Sequence, residues 1–226
     1  MNNFRQLVCM LALASMLCVS ALADELPAKW RQAESRIDAG APLAIFVEVE
    51  KTPGRPAFRI ETVLEATPRA AAVTLMQEML KETDLPKGQQ RRVLERTDRE
   101  ALVYTYIDLP FMLADRELAL RIVHSDDQAT GIHRIDWQEA NDVLPEDTGR
   151  AVRLSGTWGY WEFRPDGEHR SFATYMTQAE LGGSIPLMIG DRLMKSQALE
   201  SVSRLRGHLE NRQRSAVAAG PPPAHE

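Results

Sequence analysis

Cysteine is nearly absent from this chain. Cys9 and Cys18 are the two among 226 residues, and both fall in an N-terminal stretch that reads as a secretory leader. Arg5 gives that stretch a short positive region, Leu7 to Val19 is an apolar run, and Ala21-Leu22-Ala23 is a small-x-small cleavage site. Ser15-Met16-Leu17 puts a large side chain ahead of Cys18, where a lipid-modified cysteine wants a small one. With the leader removed, residues 24–226 hold no cysteine, which excludes a disulfide, a thiol nucleophile and a cysteine-held metal. The expected destination is export, to the periplasm.

Positive charge is also in short supply. The chain has 27 basic and 32 acidic residues, a formal −5, and loss of Arg5 with the leader makes it −6. A phosphate backbone is a poor partner for such a surface, so nucleic acid is not an expected ligand. The leader's apolar run falls short of the roughly 20 residues a membrane span needs, and no second one follows. Chemistry is sparse too. His124, His133, His169, His208 and His225 show no metal-ligand spacing and are expected mostly in solvent, and there is no His-Glu-x-x-His, Gly-x-Ser-x-Gly or phosphate-cradling glycine loop. No metal, cofactor or catalytic residue is expected.

What is present is a long terminal amphipathic helix, expected over Leu181 to Arg214. Gly182-Gly183 ends the preceding segment, Ser184 can cap, and Pro186 suits the first turn. Met194, Ala198, Val202, Leu205 and Leu209 then recur at three- and four-residue spacing, with Lys195, Glu200, Arg204, Arg206 and Glu210 mostly off that stripe. Gly190 and Gly207 weaken the helix by roughly 1 kcal/mol each, so packing has to hold it, and a sheet is the expected support. Its first turns are rich in Met, which fills adaptable space, so they read either as ordinary core or as a pocket wall.

Before that helix the chain reads as one domain over residues 24–212, with residues 213–226 a tail that turns Ala-rich after Ser215 and ends on Pro221-Pro222-Pro223. Pro27 to Ala39 places Trp30, Ala33 and Ile37 on one helical face, and Gly40 supplies a stop. Ala44 to Glu50 and Phe58 to Leu64 read as a hairpin around Thr52-Pro53-Gly54. Thr67-Pro68 opens a second helix with Ala72, Val73, Met76, Met79 and Leu80 as its apolar stripe. Strands follow at Gln90–Leu94, Ala101–Leu109, Leu118–Val123, Ile132–Trp137, Val152–Phe163 and Ser171–Gln178. Strands in a run with helices set apart imply α+β with an antiparallel sheet.

These motifs, in their order, resemble the START (steroidogenic acute regulatory protein-related lipid-transfer) domain of the Bet v 1-like, helix-grip group, over roughly Trp30 to Leu209. The carriers are Val103-Tyr104-Thr105-Tyr106-Ile107-Asp108-Leu109-Pro110 followed by Asp115-Arg116-Glu117, then Arg153-Leu154-Ser155-Gly156-Thr157-Trp158, then Thr174-Tyr175 after Gly167, and last Leu181-Gly182-Gly183-Ser184-Ile185-Pro186. Glu117 stands where the family favours Asp, and no tryptophan follows the second helix. The resemblance implies a curved antiparallel sheet wrapped around the long C-terminal helix, a tunnel between them, and a lipid or other apolar small molecule as ligand. Sterol, phospholipid and fatty acid all stay open. It also implies a monomer able to touch membranes transiently.

Following one helix face gives Ile185, Ile189, Met194, Ala198 and Val202 as wall candidates. Leu102, Tyr104, Trp158, Phe172 and Met176 are the strand candidates, although the sequence does not fix which parity faces inward. Arg116, Glu117 and Arg153 are expected in structural ion pairs. Two other readings compete: a cavity enzyme of the helix-grip group, cyclase- or hydrolase-like, and a partner-binding module with a filled core. Asp108, Asp136, His133 and Arg153 converging inward would favour the enzyme.

Overall fold

Strand-forming segments dominate from the first described residue, and they lie in one sheet. The computed structural model of the protein describes residues 29–49, 55–109, 113–145, 151–180, 182 and 187–219. The leader, Thr52-Pro53-Gly54, the Pro110 break, the Ser184 cap, Ile185 and the Pro221–Pro223 segment lie outside them. Among the described residues ten strands and two α-helices appear in the order β1 (Trp30–Asp38), β2 (Ala41–Glu48), β3 (Ala57–Leu64), α1 (Pro68–Met79), β4 (Gln89–Arg96), β5 (Glu100–Ile107), β6 (Arg116–Asp127), β7 (Ile132–Glu139), β8 (Val152–Arg153), β9 (Ser155–Pro165), β10 (Ser171–Glu180) and α2 (Leu187–Ala219). The sheet order is β1-β2-β3-β10-β9-β7-β6-β5-β4, antiparallel throughout, with short β8 lying parallel to β6. This is the expected α+β, helix-grip architecture.

The first expected helix is instead strand β1. Ala39 and Gly40 both take positive φ (48° and 81°), the backbone of a two-residue hairpin whose twist matches the strands it joins. That turn folds β1 back along β2 in register from Trp30↔Glu48 to Asp38↔Ala41. The helical spacing of Trp30, Ala33 and Ile37 therefore buries only the first of them, while Ile37 is 71% exposed. Arg31, Glu34, Arg36 and Asp38 put charge along this edge strand, and β4 at the other edge carries Arg91, Arg92, Glu95 and Arg96. Charged edges resist pairing with a further chain.

Helix α1 starts as read. Thr67 caps it by accepting the Ala70 N–H, and Pro68 occupies the first turn. Ala71, Ala72, Thr74 and Leu75 are buried, whereas Val73, expected on the stripe, turns outward. Helix α2 buries the stripe the sequence marks: Met194, Ala198, Val202, Leu205 and Leu209 are all 9% exposed or less. It runs through Ser215 to Ala219, into the stretch expected as tail. Arg206, expected off the stripe, is buried and donates to the Asp38 carboxylate at 2.6 Å and the Thr62 hydroxyl, tying α2 to β1 and β3.

Cross-strand register gives each residue a face. Leu43 and Ile45 of β2, Ile60 of β3, Val103 of β5, Ile122 of β6, Ile135 of β7, Trp161 and Phe163 of β9 and Tyr175 of β10 share the inner face, and they form one apolar cluster with α1 and α2. Helix α1 rests on β7 and β9, α2 on β3 and β10, and the helices touch each other.

Candidate functional site

The two helices do not cover the inner face completely. A cavity of about 410 Å3 opens between α1, the connection to β4, the sheet and α2, within the size range of small-molecule sites. Its floor is Trp137, Trp161 and Tyr175, from three neighbouring strands. Trp161 and Tyr175 have ring centroids 4.8 Å apart, and Trp137 and Tyr175 5.8 Å. Gly159 lies opposite Trp137 in the register, and a Cβ there would collide with the indole ring and with the Met176 carbonyl. A bare backbone in β9 is what lets Trp137 lie across the sheet. Leu75 and Met79 of α1, Leu120 of β6 and Leu205 of α2 add apolar walls.

Polar groups collect at the rim. Glu78 takes Lys81 Nζ on one oxygen at 2.6 Å and His208 Nε2 on the other at 2.9 Å, which ties α1 to α2. Arg91, on β4, donates Nη1 to the Glu78 carbonyl at 2.8 Å and so finishes the C-terminal end of α1. Burial lowers the pKa of its guanidinium, the like charge of Arg204 lowers it further, and Glu78 opposes both. Inside, burial raises the Tyr175 phenol pKa, and hydrogen bonds with Thr177 and Ser201 pull against that rise.

The strand wall candidates fall on the other side of the sheet. Leu102 and Tyr104 stand opposite Arg121 and Ala119, Trp158 opposite Gln138, Phe172 opposite Arg164 and Met176 opposite Tyr160, all with the outward parity. Met176 packs there with Trp30, Phe46 and Ala57. The inward residues include their sequence neighbours Val103, Ala173 and Tyr175, and in β9 Trp161, three positions beyond Trp158. Of the helix candidates, Met194, Ala198 and Val202 contact the sheet directly and close the core beside the cavity, and Ile189 is half exposed. The cavity wall of α2 is the adjacent face, Ser201, Arg204, Leu205 and His208.

The expected ion pair forms between Glu117 and Arg153, with Arg153 Nη2 at 2.8 Å from Oε1 and the Tyr104 hydroxyl at 3.0 Å from Oε2. It fastens β8, and the N–H of Leu154 just after that strand donates to the Glu117 carbonyl at 2.9 Å. Arg116 is buried and donates to the carbonyls of Asp115 and Gly182, at 3.3 and 3.2 Å. The four residues whose convergence would favour an enzyme are scattered. Asp136 pairs outward with Arg134, Arg153 holds Glu117, Asp108 is exposed, and His133 meets His124.

That last contact is one the sequence reading missed, since these histidines were expected in solvent. Hairpin β6-β7 brings His124 Nε2 to 3.2 Å from His133 Nδ1, with rings stacked 5.4 Å apart on the inner face. Burial lowers the pKa of both rings. A nine-residue separation across a turn beginning Asp126-Asp127 was the available signal.

An antiparallel sheet wrapped around a long C-terminal helix is an arrangement this chain shares with solved structures. A STAR-related lipid transfer protein fragment from Xanthomonas axonopodis superimposes with a TM-score of 0.67 at 22% identity, covering 80% of this chain and 99% of that one. This chain has the START fold. Human STARD10 matches with a TM-score of 0.69 at 13% identity, over 87% of this chain and 80% of that one. Human StAR-related lipid transfer protein 5 gives 0.64 at 14%, over 91% and 99%. No family model matches the sequence. An uncharacterized protein of Pseudomonas aeruginosa is 24% identical over 123 residues, 54% of this chain and 60% of that protein.

Proposed function

We propose that the protein holds one lipid or other apolar small molecule in the cavity between sheet and α2, without chemically changing it. The observation that carries this reading is the cavity itself, an aromatic floor under two helices with polar groups confined largely to the rim. Solved neighbours of the same fold include lipid transfer proteins, which supports the reading. The leader sequence supports a periplasmic location, where an apolar molecule needs a carrier to cross water, and brief contact of a monomer with a membrane would load and unload it.

The test is native mass spectrometry on protein purified from a periplasmic extract under mild conditions. An added mass that dissociates on collisional activation and behaves as a lipid on extraction is the expected result, on a protein whose intact mass begins at Asp24. Protein that carries no such mass and also takes up none from vesicles of total membrane lipid would remove the proposal.

A further inference from the structure

The rim of the cavity carries a cation without a carboxylate beside it. Arg91 reaches the cavity from β4 and donates Nη1 to two backbone carbonyls, those of Glu78 at 2.8 Å and Lys81 at 3.5 Å. Among the described residues no carboxylate lies within ion-pair distance of its guanidinium, and both oxygens of nearby Glu78 are engaged by Lys81 and His208. From the facing wall Arg204 lines the same cavity, and it meets Glu200 only at 3.9 Å. The remaining acids of the lining, Asp84 and Glu200, are exposed. Two guanidinium groups are thus held on opposite walls, and after burial itself the charge of Arg204 lowers the proton affinity of Arg91 further. Like charges placed together over a dry floor are costly unless an anion comes between them.

We propose that the occupant is an apolar chain ending in an anionic group, a carboxylate or a phosphate, with Arg91 and Arg204 pairing to that group while the chain lies against Trp137, Trp161 and Tyr175. This rests on the lipid-binding reading and sharpens it. An Arg fork takes two oxygens of a carboxylate or phosphate at once, whereas a sterol hydroxyl or an alcohol would bring no charge to set against Arg91 and the weakly paired Arg204. Arg91 also caps α1, so the ligand's head group would stiffen the one place where α1, β4 and α2 meet.

The experiment is displacement of the neutral dye Nile red from the full mature chain by oleate, 1-oleoyl lysophosphatidate, oleyl alcohol and cholesterol. Oleate or lysophosphatidate is expected to displace at a concentration about tenfold below oleyl alcohol, and the better of the two identifies carboxylate or phosphate as the head. Arg204→Gln is expected to reduce that preference by threefold or more (roughly one charge-assisted bond), and Arg91→Gln to abolish it. Because Arg91→Gln removes a helix cap, Arg91→Lys is run beside it, and a thermal melt checks folding. If oleyl alcohol and cholesterol compete as well as the anions, the anionic head is wrong and the lipid-binding reading stands. If the preference persists in both Arg204→Gln and Arg91→Gln, the assignment to these arginines is wrong. Failure of the dye and of every competitor to bind overturns both readings together.

Discussion

The two faces of the one sheet are built on different chemistry. The inner face is mostly hydrocarbon and aromatic carbon, interrupted by hydroxyls, by the stacked His124–His133 pair and by Arg91 near its β4 edge. The outer face is a lattice of charge: Arg59 pairs with Glu61 at 2.5 Å, Arg134 with Asp136 at 2.9 Å and Glu162 at 3.0 Å, and Arg164 with Glu162 at 2.7 Å. Arg134 also lies 3.7 Å over the ring of Tyr160. Part-exposed pairs of this kind contribute about 0–1 kcal/mol each, while a buried aromatic on the inner face contributes several times that. Stability and the cavity therefore live on one face, and solubility on the other. Both faces nonetheless carry large aromatics, and that is what makes them hard to tell apart in the sequence.

Two tryptophans three residues apart in β9 give the sharpest way to break this contrast. Trp161 is 2% exposed on the inner face and Trp158 is 37% exposed on the outer. Trp161→Ala should cost about 3–5 kcal/mol in urea unfolding, and Trp158→Ala less than about 1 kcal/mol. Equal losses would mean that the faces are not energetically distinct.

A smaller effect separates the filled part of the inner face from the open part. Ala198 is 1% exposed in the close-packed core, so Ala198→Trp should overpack it and destabilise by about 1–3 kcal/mol. Ser201, less than one turn further on, lines the cavity. Ser201→Phe should be accommodated there with little loss of stability, yet weaken Nile red binding. Melting and dye titration on the two variants decide it, and a Ser201→Phe protein that binds dye as the parent does would mean the dye sits elsewhere.

On the outer face the Glu117–Arg153 latch should matter less than either. Both partners are about one-fifth exposed, so Arg153→Met should cost about 1 kcal/mol and leave apolar-ligand affinity unchanged. A variant with parental stability but altered dye binding would move the latch from structural to functional.

How much of this was legible in the sequence depended on which face a pattern reports. The α2 stripe from Met194 to Leu209 was read correctly because a helix shows its buried face as a spacing. The order of the strands' motifs led to the right fold for a related reason, since turns such as Pro165-Asp166-Gly167 punctuate it. Parity in β9 was missed although a signal existed. Trp158 and Tyr160 share parity with Glu162 and Arg164, and charge at two successive positions of a strand marks the solvent side, which puts Trp161 and Phe163 inward. In β5 the same argument works through Glu100 and Asp108, which carry Leu102, Tyr104 and Tyr106 outward with them. Strand β1 was lost because Ala-Gly is an uncommon hairpin turn, and no local rule sends Ala39 to positive φ. The cavity arginines were beyond reach of spacing altogether: Arg91 and Arg204 meet only because an edge strand and the last helix close on the same gap.

The least expected effect on stability, and the cleanest test of the two faces, comes from two tyrosines at high pH. Tyr106 on the outer face donates to Asp115 at 2.5 Å, and that bond, ahead of desolvation, pushes its pKa up to about 12. The same bond holds the Asp115 carboxyl below its usual range. A phenol whose pKa is higher folded than unfolded contributes stability that is fully present below about 10, its unfolded value, and is lost as pH rises through about 12. Tyr175 on the inner face is raised for a different reason, burial, and its phenolate has no water to go to until the sheet opens. Ultraviolet phenolate titration alongside circular dichroism should therefore show Tyr106 ionising near pH 12 in protein that is still folded, a step missing from Tyr106→Phe. The Tyr175 signal should appear only with the loss of structure. If Tyr106→Phe removes no step from the folded-state titration, the Tyr106–Asp115 bond is not holding that proton, and if Tyr175→Phe removes one, the inner face is wetter than its packing implies.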